Sequence, residues 1–222
     1  MAQPTLADYQ STNYTDIAAN EVSASVTWSS GDLIVVLGMT DDNVNTLGTP
    51  TATGLTFSAV SGSPTNAAGT CKGYAWTATA GSSGSGAVTS THAIDQVAGI
   101  SVFVFSGSTG IGGTAISAAL GSTTTQSLTR TGTNSHVVQI WGDWNAINDT
   151  TVTWTPSGET QRVASFTSGR YTIFIASWGD QGASGATSYG FSGHAGGANM
   201  TAITLEILGT ATTAVNIAWV TA

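Results

Sequence analysis

The stretch GDLIVVLGMTDDN, residues 31–43, returns in altered form as SHVVQIWGDWNAIND, residues 135–149. Each is a short apolar run that breaks at a glycine and empties into Asp and Asn. Neither carries the i, i+3, i+4 spacing of a helix face, and turn-forming residues bound both, so each reads as a buried strand. A phrase written twice is either a pair of ligand-holding or catalytic loops, or a duplicated β-unit that needs nothing from chemistry.

The echo extends well beyond the phrase. CKGYAWTATAGSSGSGAVTSTHA is answered by GRYTIFIASWGDQGASGATSYGFSGHA, and GISVFVFSG by MTAITLEILG. Gly38 and Gly142 lie 104 positions apart, Gly107 and Gly209 lie 102 apart. One long period occurring twice is too long for a solenoid repeat. It fits two similar half-units, each covering the apolar face of the other. Strands are expected at 22–27, 33–39, 56–60, 71–79, 86–91 and 100–105. The series resumes at 127–130, 137–142, 151–154, 161–166, 171–178, 186–191, 201–208 and 215–220. Helical periodicity is nearly absent, and TAISAAL (114–120), bracketed by Gly113 and Gly121, has room for one or two turns. The expected fold is all-β, a β-sandwich or jelly-roll-like stack. The expected organisation is an N-terminal arm (1–20), a sandwich (21–209) and a C-terminal strand or arm (210–222). The sandwich divides into half-units 22–107 and 127–209, joined by a Gly- and Ser-rich linker, 108–126.

Composition narrows the function classes. In 222 residues there are 4 Lys and Arg against 12 Asp and Glu, a net charge of −8. Charged residues make up 7% of the chain, where about 25% is usual. Phosphate backbones and anionic membranes both need clustered cations, so neither is an expected partner. No apolar run has the length of a membrane span, and the first residues lack a basic and an apolar signal region, so no secretory route is expected. The lone Cys71 excludes an internal disulfide and reads as a buried small hydrophobe. Seven Trp, six Phe and five Tyr supply a packed core beneath a surface of Ser, Thr, Asn and Gly. Such a surface packs against neighbours with little charge to desolvate.

The order SGDLIVVLGM, GYAWTATAGSSGSGAVTS, VFVFSG, VTWTPSGETQR and GASGATSYGFSG resembles β-sandwich proteins encoded among tailed-bacteriophage structural genes, both minor tail proteins and proteins that decorate the capsid. The likeness runs from Val22 to Gly209 and carries no functional residue with it. It implies a virion component, made in the host cytoplasm, that works by self-association and docking onto other virion proteins.

Five features of the sequence bear on chemistry. Asp41, Asp42, Asn43 and Asn45, with Asp143, Asn145, Asn148 and Asp149, set oxygen ligands at alternating positions, as calcium would require. The glycine and distant Glu of a calcium loop are missing, and strand-ending turns account for the same residues. His92, His136 and His194 are too far apart in sequence to suggest zinc. GASGA (182–186) falls one glycine short of a serine-hydrolase elbow. GIGGTA (110–115) copies a dinucleotide phrase without its helix or its acidic partner. Glu21, Glu159 and Glu206 sit in no active-site phrase, and Glu159 with Arg162 is expected to form a local ion pair beside Trp154. The expectation is therefore a protein that is not an enzyme and has no cofactor. The alternative is a carbohydrate-binding or adhesin module for a host-surface glycan, stacking sugars on Trp144 and Trp154, while Trp141 belongs to the core. Val215, Ile217 and Trp219 alternate with smaller or polar residues, as in a half-buried strand. That strand is expected to dock on a neighbouring subunit or to fold back on its own sandwich.

Overall fold

Alternation is missing where the sequence is most apolar. Every residue from Leu33 to Thr40 is buried, and so is every residue from Tyr171 to Trp178. An antiparallel strand with one face in water alternates apolar and polar side chains, so these strands must be covered on both faces. The computed structural model, which describes residues 2–14, 20–42, 44, 46–92, 97–195 and 199–210, shows how.

The first half of the chain gives β1 (Thr5–Ser11), β2 (Asn20–Val22), β3 (Val26–Trp28), β4 (Leu33–Thr40), β5 (Ser58–Ala59), β6 (Lys72–Thr79), β7 (Gly84–Gly86), β8 (Thr89–Thr91) and β9 (Ala98–Ser106). The second gives β10 (Ser108–Ser117), β11 (Thr125–Arg130), β12 (His136–Asp143), β13 (Thr153–Thr155), β14 (Glu159–Thr167), β15 (Tyr171–Trp178), β16 (Gly185–Ser192) and β17 (Met200–Gly209). No helix occurs among the described residues; the fold is all-β and antiparallel, consistent with a β-sandwich.

Two five-stranded sheets, β1-β9-β4-β6-β5 and β10-β17-β12-β15-β14, lie face to face. Leu33, Val35, Leu37, Met39, Phe103 and Phe105 of the first meet Val138, Ile140, Ile173, Ile175, Ile203 and Leu205 of the second in one core. The opposite face of the first sheet, with Ile34, Val36, Trp76 and Val102, packs under Trp28 of β3 and Val88. The opposite face of the second, with Val137, Trp141, Phe174 and Trp178, packs under the small sheet β11-β16-β13 through Leu128, Trp154, Tyr189 and Phe191. Four β-layers result, small, large, large, small. At roughly 1.5–3 kcal/mol per buried large side chain, the middle interface alone accounts for much of the driving force.

The two large sheets have the same strand order position by position: β1 matches β10, β9 matches β17, β4 matches β12, β6 matches β15 and β5 matches β14. The outer layers correspond too, since Thr51 bridges to Thr89 where β13 pairs with β16. Register refines the duplicated phrase. Leu33 pairs with Phe105 and Thr40 with Ala98, while His136 pairs with Ile207 and Asp143 with Met200. Matching Phe105 to Ile207 therefore matches Gly38 to Trp141 and Met39 to Gly142, one residue away from the spacing that the sequence echo suggests. The slip matters because it exchanges faces. A Cβ on Gly38 would meet Trp76 at 3.3 Å in the outer core, whereas one on Gly142 would meet Met39 Sδ at 3.0 Å in the middle core. The two glycines are not counterparts.

Three expectations need correction. The stretch read as a linker, 108–126, holds β10, an edge strand paired to β17, followed by the first residues of β11. TAISAAL is not helical: Thr114–Ser117 ends β10 as extended chain. Likewise β1 lies within the expected N-terminal arm and pairs with β9. Both edge strands are half-exposed, so nothing required them to be apolar. A single residue, Gly107 at φ +66°, joins β9 to β10. Val215, Ile217 and Trp219 lie outside the described residues.

The glycines of GIGGTA have a structural purpose. Glu206 of β17 is fully buried and its carboxylate accepts from Gly113 N (2.7 Å), Thr131 N (2.8 Å), Thr131 Oγ1 (3.0 Å) and Gly132 N (2.9 Å). Burial pushes its pKa up, but the N–H donors of Thr131, Gly113 and Gly132 outweigh burial and hold it below the ordinary carboxylate range. A Cβ on Gly112 would strike this carboxylate, and one on Gly113 would strike the Thr129 carbonyl. Gly113→Ala should therefore cost roughly 1–3 kcal/mol by overpacking. Glu206→Gln, which turns an amide N–H₂ toward N–H donors, should cost roughly 2–3 kcal/mol by leaving buried groups unpaired. Urea unfolding measures both, and midpoints equal to wild type would refute this account.

His136 sits at the edge of the middle core, its ring 4.9 Å from Phe105 in an edge-on contact. Burial first, and the Arg162 charge second, lower its pKa to about 4. A His lowered from its free value near 6.5 is neutral when folded and takes up a proton on unfolding. Stability from this site is thus lost as pH falls from about 6.5 toward about 4. Between pH 7 and pH 4.5 the wild type should lose roughly 2–3 kcal/mol more than His136→Leu. Urea unfolding at the two pH values gives that difference; parallel losses would contradict it.

Candidate functional site

The strand ends of the doubled phrase meet in space. β4 runs out into Asp41 and Asp42, β12 into Trp144 and Asn145, and the turn between β14 and β15 brings Gly169 and Arg170 to the same end of the stack. Together they line a cleft of about 400 Å³ between the two half-units. Its first wall comes from the first unit and its second from the other.

Each carboxylate here has a definite position. Asp41 is 3% exposed. Arg170 donates through Nη1 to its Oδ2 at 2.9 Å, and its Oδ1 is buried with no hydrogen-bond partner. Burial, then the neighbouring Asp42 charge, raise the Asp41 pKa against the opposing pull of the Val97 N–H and Arg170. Asp42 Oδ1 accepts from Val44 N at 2.8 Å, a turn closed by the side chain itself. Asp143 does the same for Asn145 N at 3.0 Å, and Asp149 for Thr151 N at 3.3 Å.

Asp143 has a second commitment. His194 Nε2 donates to its Oδ2 at 2.9 Å, while His194 Nδ1 donates to the Asp149 carbonyl at 2.9 Å. A carbonyl can only accept, so Nδ1 carries a proton, and with Asp143 ionised Nε2 carries one too, which makes the imidazolium the satisfied form. Burial lowers the His194 pKa, yet the Asp143 and Asp149 contacts outweigh it and leave the pKa above its ordinary value. Both side chains of the pair are fully buried, and the ring lies edge-on to Phe174 at 5.1 Å. This pair clamps the loop after β12 to the residues that follow β16. His92 makes a comparable buried pair with Glu21 Oε1 at 3.0 Å. It pairs there because Thr40 occupies the register position that Asp143 holds in the second unit.

The candidate residues therefore separate. Asp41 and Asn145 come together at the cleft, with Asp42 and Trp144. Asp143 is drawn beneath it, to His194. Asn43 and Asn45 lie outside the described residues. Among the described residues no three His, Cys, Asp or Glu groups gather as a metal site would need. Trp144 is 40% exposed at the cleft. Trp154 is no stacking platform: it is 6% exposed, donates Nε1 to Gln161 Oε1 at 2.9 Å and packs edge-on to Trp178 and Phe191. Its alternating strand turns it into the outer core. The expected Glu159–Arg162 ion pair is also absent; Arg162 donates to Ser177 Oγ at 3.0 Å and lies over the Tyr9 ring. Ser184, the serine of GASGA, stands exposed ahead of β16 with no strand-to-helix elbow. Trp141 is fully buried, as is Cys71.

Sequence reasoning overlooked Arg170. The available signal was scarcity, since a chain with 4 cationic residues rarely places one without a partner. No family model, no curated protein and no solved structure matches the chain.

Proposed function

We propose that this protein is a structural component of a tailed-bacteriophage virion, on the tail or the capsid surface, acting through self-association and docking and not through turnover. The observation that carries the reading is the pairing of a rigid four-layer β-stack with a surface nearly free of charge. Only 16 of 222 residues are charged (4 + 12), and among the described residues several of those charges are buried in Glu206, Glu21 and Asp143. What remains outside is mostly Ser, Thr, Gly and Asn with a few scattered charges, which a partner can cover at little desolvation cost. Catalytic readings have less support, because the two histidine–carboxylate pairs are shut away from solvent.

The resemblance in strand-and-turn phrases along residues 22–209 supports the same reading. So does the alternation of Val215, Ile217 and Trp219, three apolar side chains that need a cover. A chain ending at Thr210 keeps the pairing of Ala2 N with the Thr210 carbonyl and of Thr210 N with the Gly107 carbonyl. It should melt with the full-length protein yet fail to assemble or to decorate particles. Particles banded from the lysate of its host should contain the full-length chain, detected by mass spectrometry and antibody labelling. Absence from particles would overturn the virion reading, and normal incorporation of the shortened chain would remove the C-terminal segment from it.

A further inference from the structure

We infer that the cleft between the Asp41–Asp42 and Trp144–Asn145 loops binds a neutral oligosaccharide. Among the described residues Trp144 is the one aromatic side chain in the open; Trp28, Trp76, Trp141, Trp154 and Trp178 are all buried. An indole left 40% exposed forgoes the burial that its five counterparts obtain, unless something covers it. Gly69, in a loop of the first unit, lies beside it: a Cβ there would stand 4.0 Å from Trp144 Cζ3.

The polar groups around the indole match a sugar. A pyranose ring has an apolar face of C–H bonds and a rim of hydroxyls. The indole can take the face, while the rim needs both acceptors and donors. The Asp41–Asp42 wall of the cleft presents carboxylate acceptors. Arg170, which is partly exposed, and the exposed Asn145 amide supply donors beside it. The volume, about 400 Å³, belongs to the range of small-ligand pockets.

Other occupants fit less well. A nucleic acid would stack on Trp144 too, but its phosphates would meet Asp41 and Asp42 in a protein of net charge −8. A bare cation would have to displace the Arg170 guanidinium already 2.9 Å from Asp41. An acidic sugar meets the same two carboxylates, of which the single Arg170 offsets one. The ligand is therefore an uncharged glycan. This inference does not depend on the virion reading, since the cleft exists whether or not the chain sits on a particle.

The test titrates the intact protein with neutral cello-, malto-, chito- and galacto-oligosaccharides, following tryptophan fluorescence and ligand-observed NMR. At least one series should bind. Trp144→Ala should weaken that binding by about tenfold or more, the effect of losing one stacked aromatic contact. Asn145→Ala, a change at an exposed side chain, should weaken it several-fold, and both variants should melt with the wild type. No binding by any series, or equal affinity in wild type and Trp144→Ala, overturns the proposal. So does binding abolished by a chelator, which would make a metal ion the true contact, or preferential binding of an acidic heparin fragment. Absence of the chain from particles would leave all these outcomes unchanged, so the two proposals fail separately.

Discussion

Burial of both faces of each large sheet is the constraint on which everything else rests. β4, β12 and β15 have no residue in water, so their sequences are mostly apolar without alternation, and the one carboxylate among them, Asp143, stands at the end of β12. That explains why polar residues collect at strand ends. Thr40, Asp41 and Asp42 follow β4's apolar run, and Asp143 closes β12, because the middle layers stop there and backbone turning begins. The cleft is a by-product of the same geometry: two covered strands end side by side, and their turns enclose a space.

Charge economy is the second theme. A chain this poor in charge puts its few ions where they organise backbone. Glu206 gathers N–H groups from β10 and from the loop before β12, and so fixes an edge strand that has little apolar surface of its own. Asp143 and His194 do the equivalent for the loop after β12, holding the turn that presents Trp144. Arg170 joins the two units across the cleft. Removing any of these would alter shape before it altered surface potential.

The sequence showed the buried strands plainly, because an unbroken apolar run between turns has few other meanings. It showed the repeat as well, through phrases such as GISVFVFSG and MTAITLEILG. What it hid were β1 and β10, whose side chains are half-exposed and whose place in a sheet comes from pairing with β9 and β17. The one-residue slip between Gly38 and Gly142 was hidden for a related reason: glycine attracts the eye in an alignment, but register is set by which face each neighbour fills. Of the cleft, Asp41, Asn145 and Trp144 could be named from the doubled phrase. Arg170 could not, since it arrives from a distant turn, and Trp154 misled because a loop-like sequence, TPSG, follows a strand that points its indole inward.

The register match also sets Thr40 against Asp143, and next along the chain Asp41 against Trp144. A dimer of identical halves would place like against like around its axis, so that any groove on the axis would have two matching walls. Here the halves share one backbone through Gly107, and each wall has been free to differ. One side offers a carboxylate, the other an aromatic plane. Joining the copies in a single polypeptide thus releases the seam from two-fold symmetry, so that its two walls carry different chemistry on matching backbones.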